Sequence, residues 1–128
     1  MSKSVCILYI EDSPANVTVV ERITENLGYN LHVATNATDG LHLLYELQPD
    51  LVLMDIGLPD IDGLTATRKI RMDESMRALP VIAITASAMV GDREKCLEAG
   101  CSDYLAKPFQ IKDLVTMFNK WLGLKEQQ

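Results

Sequence analysis

Short apolar runs separated by helix-length segments constrain this chain more than any other feature. The runs Val5 to Ile10, Leu31 to Ala34, Leu51 to Met54 and Val81 to Thr85 are rich in aliphatic and β-branched residues, and Tyr104 to Ala106 forms a weaker fifth. The first, third and fourth are nearly continuous and do not alternate, the pattern of strands covered on both faces in a parallel sheet. The intervening segments carry apolar residues with a period near 3.6. In the last of them Ile111, Leu114, Val115, Phe118 and Leu122 form one stripe. Boundary signals agree: Ser13-Pro14 reads as a cap and first helical residue, Gly28 closes that helix, Asn36 with Asp39 opens the next, and Gly100 ends the fourth. Five strand-then-helix units with right-handed crossovers make a doubly wound three-layer α/β sandwich around a five-stranded parallel sheet. No linker, repeat or low-complexity stretch interrupts the pattern, so residues 1–128 read as one domain.

Composition removes several function classes. Apolar residues at 48% and charged residues at 23% are ordinary globular values, which disfavours disorder and a disulfide-stapled miniprotein. With 18 acids against 12 bases the net charge is −6, and the basic residues do not cluster, so a nucleic-acid backbone would be repelled. The apolar runs fall short of the roughly 20 residues a bilayer helix needs, and no signal-peptide pattern opens the chain. The expected location is the cytoplasm, without membrane contact. Cys6, Cys96 and Cys101 lack metal or redox spacing and read as small packed thiols, and His32 and His42 stand isolated.

The polar residues that break this pattern fall at the carboxyl ends of strands. Glu11 and Asp12 follow the first, Asp55 ends the third, Thr85 ends the fourth and Lys107 follows the fifth. In an open parallel sheet those ends share one edge, where ligands bind. If the first and third strands are neighbours, Glu11, Asp12 and Asp55 come within a few ångströms of one another and raise each other's pKa values. An oxygen-only acidic set without His or Cys suits a hard divalent ion such as Mg²⁺. Taken singly, Asp12 as a helix cap and Asp55 as a turn cap remain open readings.

The acidic pair Glu11-Asp12, the segment Asp55-Ile56-Gly57-Leu58-Pro59 with Gly63 downstream, Thr85-Ala86 and Lys107-Pro108 together resemble the receiver domain of bacterial two-component response regulators. The resemblance covers essentially the whole chain. It implies the flavodoxin/CheY-like (βα)5 fold with strand order 2-1-3-4-5. It also implies that Asp55 accepts a phosphoryl group from a histidine kinase or phosphotransfer protein. Glu11, Asp12, Asp55 and the main-chain carbonyl of Gly57 would hold Mg²⁺, with Mn²⁺ as a substitute, and Glu11 could act through water. Lys107 would pair with a phosphoryl oxygen, and the small Ala86 would leave room for it. Thr85 and Tyr104 would form a switch that changes the face made by the fourth helix, fifth strand and fifth helix, and the Lys107-Pro108 bond would be cis.

Such a domain is a phosphoacceptor that dephosphorylates itself, not a turnover enzyme. Gly57 and Ser87, both small, leave the phosphate lifetime open. Only Gly123 to Gln128 follow the last helix, so the signal is expected to leave through a downstream protein target, with Ala88-Met89-Val90-Gly91 as a docking surface and a monomer as the favoured state. A chain starting at Met1 points to a single-domain regulator; a receiver cut from a hybrid kinase and a phosphorylation-independent docking module are the alternatives. A flavodoxin-type module would need a phosphate loop where Glu11-Asp12-Ser13-Pro14 stands, and a metal-dependent phosphatase would need an acid where Gly57 stands.

Overall fold

Strand parity decides which layer each side chain joins. The computed structural model describes residues 4–86 and 92–123. It contains β1 (Cys6–Ile10), α1 (Pro14–Leu27), β2 (Asn30–Ala34), α2 (Ala37–Leu47), β3 (Leu51–Asp55), α3 (Gly63–Arg71), a 3-10 turn (Glu74–Met76), β4 (Val81–Thr85), α4 (Asp92–Ala99), β5 (Asp103–Ala106) and α5 (Ile111–Leu122). The five strands pair in parallel in the order β2-β1-β3-β4-β5. Ile7, Tyr9, Leu51, Leu53, Ile82 and Ile84 face α1 and α5, where Val20, Ile23, Leu114 and Phe118 meet them. Leu8, Ile10, Val52, Met54 and Ala83 face the other way, against Ala37 and Leu44 of α2, Ala66 and Ile70 of α3 and Cys96 of α4. Both faces of the central strands are therefore dry, which is why their sequences do not alternate.

Strand bounds move from the apolar runs wherever the ladder admits a polar residue. Asn30 pairs with Cys6 and Asp103 with Ile82, so β2 and β5 each begin one residue early, and Asp55, paired with Ile84, belongs to β3. Ser13 caps α1 with Pro14 behind it, although its side chain makes no capping bond, and Gly28 turns the chain out of that helix at φ 78°. The Asn36 side chain accepts from Asp39 N–H, and Asp62 accepts from Leu64 and Thr65 N–H at the start of α3. Among the described residues no helix is long and apolar enough to cross a membrane. Ser87, the segment Ala88-Met89-Val90-Gly91 and the tail from Leu124 lie outside the described residues.

Candidate functional site

Parity also builds the site. Tyr9 pairs with Leu53, Asp55 with Ile84 and Ile84 with Leu105. One step further along each strand, on the face shared with Tyr9, Leu53 and Leu105, stand Glu11, Asp55 and Lys107. Their side chains meet at the carboxyl edge: Lys107 Nζ lies 3.0 Å from Glu11 Oε1 and 3.3 Å from Asp55 Oδ1. Glu11 is 1% exposed and Asp55 4%, whereas Asp12 faces solvent. One carboxylate oxygen from each of Glu11, Asp12 and Asp55 lies within 4.8 Å of the other two. These residues, with Gly57, Thr85 and Ala86, line a cleft of about 390 Å³.

Each buried carboxylate is held by donors. Glu11 Oε1 accepts from the Tyr9 hydroxyl at 2.9 Å as well as from Lys107, and Oε2 accepts from Ser13 N–H at 3.2 Å. Asp55 Oδ1 accepts from Gly57 N–H at 3.3 Å. Mutual repulsion was expected to raise every carboxyl in the group, and for Glu11 this needs correction. Burial, then the Glu11 charge, push Asp55 above the usual carboxylate range, and Lys107 and Gly57 N–H offset this only in part. Burial also pushes Glu11 up, but hydrogen bonds from Lys107 and Tyr9, the Lys107 charge and Ser13 N–H outweigh it and leave Glu11 below that range. Burial disfavours the Lys107 cation, yet its two carboxylate partners hold its pKa above the ordinary lysine value. The cleft therefore combines an anion stabilised by hydrogen-bond donors, a destabilised one and a cation held by both.

The donor set is all oxygen, three carboxylates against one ammonium, with no His or Cys in the group. Those residues fit a hard divalent cation. Thr85 and Tyr104 share the opposite sheet face: Ala83 pairs with Tyr104 and Thr85 with Ala106, and Tyr104 is half-buried against the α3 and α4 side. The Lys107–Pro108 peptide is cis. Burial pushes the Cys96 thiol up and Cys101 to about 11, as packed thiols would be. The sequence reading missed Tyr9. Its signal was available: a strand residue two places before Glu11 must share its face.

The response regulator receiver domain model matches residues 7–119. Over 123 residues the chain is 38% identical to the polar-differentiation response regulator DivK of Brucella anthropi, covering 96% of this chain and 98% of the relative. The receiver domain of sensor histidine kinase PA1611 from Pseudomonas aeruginosa PAO1, solved with a magnesium ion coordinated in its active site cleft, matches with a TM-score of 0.86 and 42% identity over 94% of this chain and 99% of its own. A chain of the co-crystal structure of the Saccharomyces cerevisiae histidine phosphotransfer signaling protein Ypd1 with the receiver domain of Ssk1 matches with a TM-score of 0.85 and 25% identity, covering 94% and 90%.

Proposed function

The chain belongs to the response regulator receiver domain family, and from that premise we propose that it is a signalling switch in which Asp55 accepts a phosphoryl group from a histidine kinase or phosphotransfer protein in a Mg²⁺-dependent reaction. The observation that carries this reading is the meeting of Glu11, Asp12 and Asp55 oxygens within 4.8 Å beside Lys107. A relative at 42% identity holds magnesium in its own active site cleft, and another likeness comes from a complex with a phosphotransfer protein. The whole of 1–128 serves as one receiver domain, working in the cytoplasm.

An Asp55 carboxylate oxygen attacks phosphorus as the P–N bond to the donor histidine breaks, and the imidazole leaves with the bonding pair. Held by Glu11, Asp12, Asp55 and the Gly57 carbonyl, Mg²⁺ (or Mn²⁺) would supply positive charge against the phosphoryl oxygens. Lys107, already 3.3 Å from Asp55 Oδ1, moves from carboxylate to phosphoryl oxygen. Exposed Ala86 leaves the approach open. Hydrolysis of the acyl phosphate resets the switch, so the chain does not turn over as an enzyme.

Thr85 reads the mark by donating its hydroxyl to a phosphoryl oxygen, and Tyr104 then moves inward, changing the α4–β5–α5 face that a downstream protein reads. Thr85→Ala would keep phosphorylation and lose the change in partner binding. The first test is intact mass after incubation with Mg²⁺ and acetyl phosphate: one phosphate gained by the wild type and none by Asp55→Asn. A gain in both would place the acceptor elsewhere.

A further inference from the structure

The proposed cation site has two walls, and both are fastened to the same stretch of chain. One wall is Glu11-Asp12, whose Glu11 N–H donates to Ala34 O at 2.9 Å, the last residue of β2. The other is the loop from Ile56 to Ile61, in which Gly57 N–H touches Asp55 Oδ1. From that loop Asp60 reaches across to the first turn of α2. Its Oδ1 accepts from Ala37 N–H at 2.9 Å, and its Oδ2 accepts from Thr38 N–H at 3.0 Å and from the Thr38 hydroxyl at 2.7 Å. Ala37 and Thr38 directly follow the cap Asn36, so these are helix N–H groups that no earlier carbonyl can satisfy, and the carboxylate sits at the positive end of the helix.

The far end of the loop is held independently. Asp62 caps α3 through Leu64 and Thr65 N–H, and Gly63 N–H returns to Ile56 O at 2.9 Å. Leu58, Ile56 and Ile61 of the loop pack into the apolar cluster that holds Ala34 and Ala37, and among the described residues Asp60 is the one side chain of the loop that hydrogen-bonds the β2–α2 junction, which itself supplies no oxygen to the site.

We infer that Asp60 is a positioning residue for the cation site: by tying the Gly57 loop to the start of α2, beside the strand end that holds Glu11, it sets the spacing between the two walls before an ion arrives. Thr38 is its partner, and neither side chain touches the ion. The inference rests on the reading of Gly57 and the three carboxylates as Mg²⁺ ligands.

The test is calorimetric titration of the whole chain with Mg²⁺ alone, for wild type, Asp60→Ala, Asp60→Asn and Thr38→Val, together with hydrogen exchange at the Gly57 amide in Mg²⁺-free protein. Asp60→Ala should weaken Mg²⁺ binding by about fivefold, the scale of a lost capping acceptor, and speed Gly57 exchange by a similar factor. Asp60→Asn keeps one acceptor oxygen and Thr38→Val keeps both N–H bonds, so both should fall between Asp60→Ala and wild type. Binding by Asp60→Ala equal to wild type, with unchanged Gly57 exchange, would overturn the inference even if its melting point fell, because Asp60 would then be a helix cap and nothing more. A wild type that takes up no Mg²⁺ would sink the reading of the site, and this inference with it.

Discussion

The buried Tyr9 hydroxyl donates a 2.9 Å hydrogen bond to Glu11 Oε1, so a phenol from the core holds an acid of the cleft. Tyr9→Phe removes only the oxygen, in a place where no solvent can replace it. The variant is expected to lose about 1.5–3 kcal/mol, the range for a hydrogen bond to a charged group. Urea denaturation of Mg²⁺-free protein measures this, and an unshifted midpoint would contradict it.

Asp55→Asn should be more stable than wild type when Mg²⁺ is absent. The folded state raises the Asp55 pKa, so folding binds its proton more tightly than the unfolded chain does. That contribution is complete below the ordinary Asp value and is lost as pH rises through the raised one. At neutral pH the wild type carries a destabilised anion that Asn lacks, so Asp55→Asn is expected to melt at the higher temperature. The gap should close on acidification below about pH 4, where both states of the wild type are protonated. A gap that persists there would refute the assignment.

Lys107→Ala leaves Glu11 and Asp55 facing each other without their shared cation. The expected loss is about 3 kcal/mol without metal, the low end of the range for a broken buried pair because Lys107 is partly exposed. Mg²⁺ should raise the Tm of this variant more than that of wild type, because the ion replaces the missing charge. Acetyl phosphate should modify it at least about tenfold more slowly. Thermal melts with and without Mg²⁺ decide the first point: a smaller rise than wild type would contradict it.

Gly63→Ala should be damaging although Gly63 opens an ordinary helix. A Cβ there would run into the Asp55 carbonyl oxygen and lie 2.9 Å from Ile56 Cα, both backbone atoms at the edge of the cleft. Separation of these segments is expected to cost about 1–3 kcal/mol and to lower Mg²⁺ affinity. Wild-type stability and affinity would show that the turn relaxes freely.

Asp103 gives a prediction of opposite sign. Burial pushes it up, but the Trp121 indole N–H at 3.0 Å, Tyr104 N–H and Lys120 leave it below the usual range. Its contribution is present above the ordinary Asp value and lost as pH falls through the depressed one. Trp121→Phe should cost about 1 kcal/mol at neutral pH and less once Asp103 is protonated. Trp121 is the one tryptophan, so circular dichroism must follow the unfolding. An equal loss at acid pH would argue for packing alone.

Some of these relationships were legible before the fold. Apolar runs marked all five strands, continuous in β1, β3 and β4 because two dry faces leave no room for alternation, and Ser13-Pro14, Gly28 and Asn36 marked helix ends through local backbone chemistry. Asn30 and Asp103 escaped, since a ladder pairs backbone atoms and tolerates a polar residue whose side chain is exposed, as at Asn30, or bonded elsewhere, as Asp103 is to Lys120 and Trp121. The direction of the Glu11 shift escaped for a related reason: carboxylate repulsion can be inferred from spacing, whereas the Tyr9, Ser13 and Lys107 donors converge only in three dimensions. The bond between Asp60 and Thr38, 22 residues apart, left no local trace.

The sequence by itself determined the layers and the chemical types available at the carboxyl edge, because hydrophobic period and helix-end preferences act over a few neighbouring residues. Tertiary structure decided which of those groups touch. The neighbouring of β1 and β3, the seating of Lys107 between two acids and the strap from Asp60 to α2 depend on segments far apart in the chain, brought together by a burial drive that is proportional to apolar area and indifferent to which polar atoms it leaves in contact.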